Sequence, residues 1–371
     1  MPPSISTRIP PLLHPYIRLT KDESILLLTS TLGASANWLI IRFLCDALNA
    51  QPQRGDGDGS GEAIPGSGSD TRVILVSWLR EYEFWRAEAR KGAGVDLERA
   101  RREGRFAFVD GLSGLFGGDQ SAGASPGAQV APPTSRSLPT RAPQTLPVRG
   151  PPPPAAAAVG RTIQARGPST QTNAPSPTPA PQPTIQQGIY TLTSPALPHL
   201  KSTLQTALTS PSPPPKKTLL ILDNPDALLA LDPSLTPASL SSLLLSLHAS
   251  SISHMLVHMQ SDNPLLSPSA PVPQPLELAQ HDFLVRIAHA SSRILGVRVL
   301  DTGVARDVSG VVRVTRAAGG GFAGGLGLGL GEEEEEEEGL WGENGSGKEF
   351  LYQVRGDGGV RVFERGAGGE G

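Results

Sequence analysis

The chain has 371 residues and a formal net charge of −3, so no global field draws it to a polyanion. Its 42 glycines and 37 prolines, against 5% aromatic and 18% charged residues, exclude a uniformly packed globule over the full length. The single cysteine, Cys45, excludes an internal disulfide and a cysteine-only metal site, and its apolar setting predicts a buried reduced thiol.

The first residues, MPPSISTRIPPLLHPYIRL, lack a basic stretch followed by an apolar one, so no signal peptide is expected. No run reaches 18 apolar residues, so no membrane span is expected, and the predicted setting is intracellular.

The first ordered block is expected over 11–117. Residues 24–31, SILLLTST, form a short apolar run that predicts a buried strand. The next stretch, LGASANWLIIRFLCDALN, places Trp38, Ile41, Leu44, Cys45 and Leu48 at helical spacing, with Asn37 or Ser35 as the cap. Residues 51–70, rich in Gly, Asp and Ser, predict a disordered loop. A strand over 72–78, helices over 80–92 and 97–103, and a strand over 106–110 follow. This alternation predicts βαβ units, hence an α/β fold with a mostly parallel sheet flanked by helices.

Residues 118–188 contain PPPPAAAA and NAPSPTPAPQPT and cannot bury enough apolar area to offset their ordering entropy. Because strand signals resume afterwards, the segment reads as a disordered insertion within one domain, and closure entropy rises only logarithmically with its length. The second part of the domain is expected over 189–318. It holds a helix over 197–208 and the clearest strand of the chain, TLLILD, over 218–223. A helix over 236–250 follows, with Thr236 as cap and Pro237 at its first position. Next come a strand over 254–259, a proline-rich spacer over 264–275, a helix over 276–287, and strands over 294–300 and 310–316. Residues 319–347, with a glutamate run at 332–338, predict a second disordered insertion. The last segment, 348–365, carries two alternating runs around 356–359 and predicts a β-hairpin.

A phosphate-binding loop would follow the first strand, cradling phosphates on backbone amides with a lysine over them. The turn TLGASANWL there has Gly33 as its only glycine. No lysine lies between Lys21 and Lys91, and no GK[ST] occurs anywhere. Asp223, at the end of TLLILD, matches the position of a magnesium-orienting carboxylate, and acidic turn chemistry explains it equally. His254 and His258 share a strand face, but HMLVH lacks the glutamate of a zinc hydrolase. The near miss DGLSGLF is not a nucleophile elbow. No catalytic, cofactor-binding or metal-ligating residue is assigned, and no cofactor is expected. Arg80, Arg86, Arg90 and Lys91 interleave with acidic residues and read as a solvated helix face. Arg99, Arg101, Arg102 and Arg105 are the densest basic group and the candidate RNA contact, without an aromatic stacking platform beside them.

The segments LLHPYIRLTKDESILLLTSTLGASANWLIIRFLCDAL, RVILVSWLREYEFWRAEARKGAGVDLERARREGRFAFVDGLSGLF, KKTLLILDNPDALLAL and HMLVHMQSDNPLL resemble the family of sixth subunits of the Elongator complex, in its filamentous-fungal form. The resemblance covers 12–116 and 189–316, and the terminal hairpin fits it. It implies a RecA-like fold without functional Walker motifs. It also implies a non-enzymatic, structural role in a hetero-hexameric ring with the fourth and fifth subunits, two copies of each. That ring joins the catalytic subcomplex, binds tRNA, is linked to its ATP-dependent release, and supports wobble-uridine modification. The implied localisation is cytoplasmic, also nuclear. Two other readings stand beside it. An atypical NTPase is opposed by the missing lysine, and a stand-alone RNA-binding module by the near-neutral charge.

Overall fold

The computed structural model describes residues 9–19, 23–49, 71–116, 187–210, 215, 217–266, 274–303, 305–316 and 347–364. The expected loop at 51–70 lies outside the described residues, as do all but the ends of the segments at 118–188 and 319–347. All described residues belong to one compact unit.

In chain order the first part gives α1 (His14–Ile17), β1 (Ser24–Ser30), α2 (Asn37–Asn49), β2 (Thr71–Ser77), α3 (Tyr82–Ala93), α4 (Leu97–Arg102), β3 (Phe106–Asp110) and α5 (Ser113–Phe116). The second part gives β4 (Ile189–Thr191), α6 (Leu197–Thr209), β5 (Lys217–Asp223), α7 (Ala227–Leu231), α8 (Pro237–Ser251), β6 (His254–Gln260), α9 (Asn263–Leu266), α10 (Pro275–Ala290), β7 (Arg293–Arg298) and β8 (Gly310–Arg316). The hairpin of β9 (Lys348–Val354) and β10 (Val360–Glu364) closes the fold.

These strands form one ten-stranded sheet in the order β10-β9-β8-β7-β1-β6-β5-β2-β3-β4. From β4 to β7 every pairing is parallel, and β8, β9 and β10 add an antiparallel meander. The protein is therefore α/β, with a largely parallel sheet flanked by helices.

The period-two alternation of each strand feeds two cores. Leu26 and Leu28 of β1 face the cluster built with α2, α3 and α4, around Phe43, Trp85 and Leu97. Ile25 and Leu27 face the opposite cluster, built with α6, α8 and α10 around Leu204, Leu244 and Phe283. Burial on both faces is why the central strands read as unbroken apolar runs rather than as alternating ones.

Helix ends follow local chemistry. The Thr236 side chain accepts from the Ser239 amide in a capping box, with Pro237 in the first turn of α8 as expected. The start of α2 differs from expectation. Ala36 supplies the carbonyl that receives the Leu39 and Ile40 amides, Ser35 Oγ accepts from the Asn37 amide, and Asn37 is already helical.

Five short elements break the expected pattern. The helix α1 precedes β1, α5 follows β3, the three-residue β4 extends the sheet beyond β3, α7 follows β5, and α9 occupies the start of the supposed proline-rich spacer. The strand expected over 294–300 ends at Arg298. No helix among the described residues is long and apolar enough to cross a membrane.

Candidate functional site

In an open α/β sheet the ligand crevice lies beyond the carboxyl ends of the strands, where neighbouring connections leave toward opposite faces. Here β1 hands on to α2 on one face, while the adjacent β6 hands on to α10 on the other. At this switch point stand Ser30, the turn after it, Asp223 at the end of β5, and His258 near the end of β6, with the three side chains buried.

Five side chains there form a continuous network. Ser30 Oγ lies 2.9 Å from His258 Nε2, and His258 Nδ1 lies 2.8 Å from Asp223 Oδ1. Ser77 Oγ donates to Asp223 Oδ2 at 2.7 Å, and Arg80 Nη1 stands 3.6 Å from the same oxygen. The carboxylate can only accept, so His258 directs an Nδ1 hydrogen at Asp223, while its Nε2 meets Ser30 Oγ, which also reaches Gln260 Oε1 at 3.4 Å.

The sequence of contacts is that of a serine–histidine–aspartate relay, but its setting is not that of a reactive serine. Ser30 is 2% exposed, His258 1% and Asp223 0%. Ser30 sits in regular strand rather than on a strained elbow, and the positive φ values nearby belong to Gly33 and Asn224. Buried polar groups at strand ends need partners, and this network gives each of them one.

The turn after β1 is equally occupied. The amide of Thr31 donates to the Val297 carbonyl, that of Leu32 to Asp262 Oδ1 at 2.8 Å, and that of Ala34 to the Thr31 carbonyl. Three amides of this turn are thus spent within the fold rather than open to a phosphate. The cation at this edge, Arg80, is held as well. It lies over the Phe84 ring at 5.1 Å, and with the Asn37 amide oriented to satisfy its neighbours the Asn37 oxygen accepts from it at 3.2 Å. A second carboxyl, Asp226, is buried and takes a hydrogen bond from Gln280 Nε2. Burial pushes it above the usual carboxylate range.

Other residues singled out by sequence lie apart. His254 is at the far end of β6, with Nδ1 3.0 Å from Ser24 Oγ. No group of three metal-ligating side chains occurs among the described residues. Cys45 is a buried thiol in no disulfide, and its Sγ accepts from Asn49 Nδ2 at 3.3 Å. In DGLSGLF, Asp110 Oδ1 accepts from the Leu112 and Ser113 amides, and Gly111 lets the Trp78 ring approach the backbone. The candidate RNA arginines are largely engaged. Arg99 and Arg105 pair with Glu103, and Arg101 with Glu98, while Arg101 and Arg105 also donate to the carbonyls of Gln187 and Leu48.

Fold and site together define a doubly wound α/β protein whose switch point is occupied by buried side chains paired with one another. No family model and no curated protein matches the chain. Among solved structures, an uncharacterized protein from Pyrococcus horikoshii, in complex with an unknown peptide, is similar over 95% of this chain and 97% of its own. The two share 10% identity at a TM-score of 0.44, a likeness too weak to bear on function.

Proposed function

We propose that the chain is a non-catalytic, structural subunit of the Elongator complex with a RecA-like fold that lacks functional Walker motifs. On this reading it forms a hetero-hexameric ring with the fourth and fifth subunits. The ring binds tRNA, meets the catalytic subcomplex and supports wobble-uridine modification, in the cytoplasm and also in the nucleus.

The observation that carries the reading is the state of Asp223. A magnesium-orienting carboxylate must keep an oxygen open toward metal and water. Both oxygens of Asp223 are engaged, by His258 on one side and by Ser77 and Arg80 on the other. Its neighbouring turn lacks the lysine a triphosphate needs, and the Thr31, Leu32 and Ala34 amides there are already engaged within the fold. A fold of this kind that cannot process nucleotide retains its surfaces for assembly.

Co-expression with the fourth and fifth Elongator subunits, followed by intact-complex mass measurement, tests the reading. A single species containing two copies of each of the three chains is expected. A chain that stays alone in the presence of both subunits would overturn the proposal.

A further inference from the structure

At the opposite, amino-terminal edge of the sheet lies a cavity of about 200 Å³ whose walls include Arg18, Asp46, Thr71, Lys217 and His254. We propose that this cavity is a binding site for a small phosphate-type oxyanion. The site is remote from the Ser30–Asp223 network and stands with or without ring membership.

His254 provides the main observation. Its side chain is 1% exposed, and Ser24 Oγ engages Nδ1 at 3.0 Å, yet Nε2 has no hydrogen-bond partner. A buried ring nitrogen left unpaired costs free energy that a ligand can recover. When the Ser24 hydroxyl donates to Nδ1, the ring hydrogen moves to Nε2, and the unmet need is for an acceptor. Burial first, and then the Lys217 and His248 charges, hold His254 down at about 4, so the ring is a neutral donor at neutral pH.

The rest of the wall suits an anion. Lys217 begins β5 and Arg18 follows α1, so two cations face the same space from separate elements. Thr71, the first residue of β2, adds a hydroxyl. Asp46 is the opposing charge in this wall, and burial raises its pKa above its ordinary value. Size decides between ligands. The cavity is smaller than the roughly 300–1,000 Å³ of sites for drug-sized molecules, so it takes an ion rather than a nucleotide.

The test titrates the full chain with inorganic phosphate while following the His254 imidazole by NMR, with sulfate and adenosine monophosphate as comparators. Phosphate is expected to shift the His254 signals saturably. Affinity should fall about tenfold or more in the Arg18→Gln, Lys217→Gln double variant and tighten in Asp46→Asn. If the double variant loses its folded spectrum, Arg18→Gln alone carries the comparison, because Arg18 is exposed. Absence of saturation into the millimolar range, or phosphate binding indifferent to these substitutions, overturns the site. Tighter binding of the monophosphate nucleotide than of phosphate overturns the small-ion assignment.

Discussion

His258 Nδ1 stands 2.8 Å from Asp223 Oδ1, and the pair joins the ends of two neighbouring parallel strands across the middle of the sheet. Ser30 extends the contact to a third strand and Ser77 to a fourth, so Asp223 is the hub on which β1, β6, β5 and β2 converge.

Removing the hub leaves three partners without their acceptor. Asp223→Ala is expected to destabilise the fold by about 3–5 kcal/mol, the range for breaking a buried charge network from one side. Asp223→Asn, which keeps shape and one acceptor, should cost less. Urea unfolding of the two variants measures the difference. Equal, small losses would mean that the network contributes little.

Gly111 occupies the turn after β3, where an added Cβ would come within 2.8 Å of the Trp78 indole. Trp78 is fully buried, so the ring has no free direction in which to yield. Gly111→Ala should therefore destabilise by about 1–3 kcal/mol, as overpacked cores do. A cavity-making Trp78→Phe change in the same background should restore part of the loss, which thermal melts of the single and double variants can read.

Much of this architecture is visible in the sequence because the central strands are covered on both faces. SILLLTS, RVILVS and TLLILD are unbroken apolar runs that only a doubly covered parallel sheet rewards. Thr236 and Pro237 likewise announce α8 by local chemistry. Three residues of β4 are too few to show a period, and α9 is a single turn inside proline-rich sequence. The network was hidden for a different reason. Ser30 and His258 are 228 positions apart, and only the strand order, with β6 inserted beside β1, brings them together. Asp223 was recognisable as a strand-end carboxylate, but nothing local to it reveals that His258, Ser77 and Arg80 consume both its oxygens.

The arginines of α4 illustrate the same limit. Sequence density made Arg99, Arg101, Arg102 and Arg105 an RNA candidate, yet Arg102 is the member that makes no hydrogen bond or ion pair among the described residues. If the chain belongs to the proposed tRNA-binding ring, replacing all four by glutamine should therefore change the slope of log K against log salt for tRNA binding by no more than about one phosphate contact, roughly 0.7–0.9. A larger change would return this helix to the tRNA path.

Acid should weaken the fold through His254. Its folded pKa of about 4 lies below the ordinary histidine value of 6.5, because burial and nearby cations disfavour the charged ring. Between those values the unfolded chain binds the proton and the folded chain does not, so stability rises with pH there. The loss accumulates as pH falls from about 6.5 toward 4 and reaches at most about 3 kcal/mol. His248, whose pKa is also lowered by burial, adds to the same trend. Urea midpoints measured across this window should fall with acidification in the parent chain and fall less steeply in His254→Gln. An unchanged slope in the variant would place the acid sensitivity elsewhere.

The chain itself should not hydrolyse a nucleoside triphosphate. Phosphoryl transfer requires positive charge over the β- and γ-phosphates, amides to hold them, and a carboxylate free to orient magnesium. The turn after β1 offers no lysine, and the amides of Thr31, Leu32 and Ala34 already have partners within the fold. Arg80 is the cation that stands against Asp223, and reaching a phosphate would mean abandoning that carboxylate, the Asn37 oxygen and the Phe84 ring together. The comparison that decides is made with Asp223→Asn in the purified chain and, where the proposed ring assembles by mass, in that ring, since Asp223→Ala risks the fold for reasons unrelated to nucleotide. ATP turnover by the ring should stay near the parent rate, and the purified lone chain should show neither turnover nor saturable magnesium–ATP binding. Turnover by the lone chain that Asp223→Asn abolishes, with its folded spectrum retained, would falsify the reading of Asp223 as a purely internal partner.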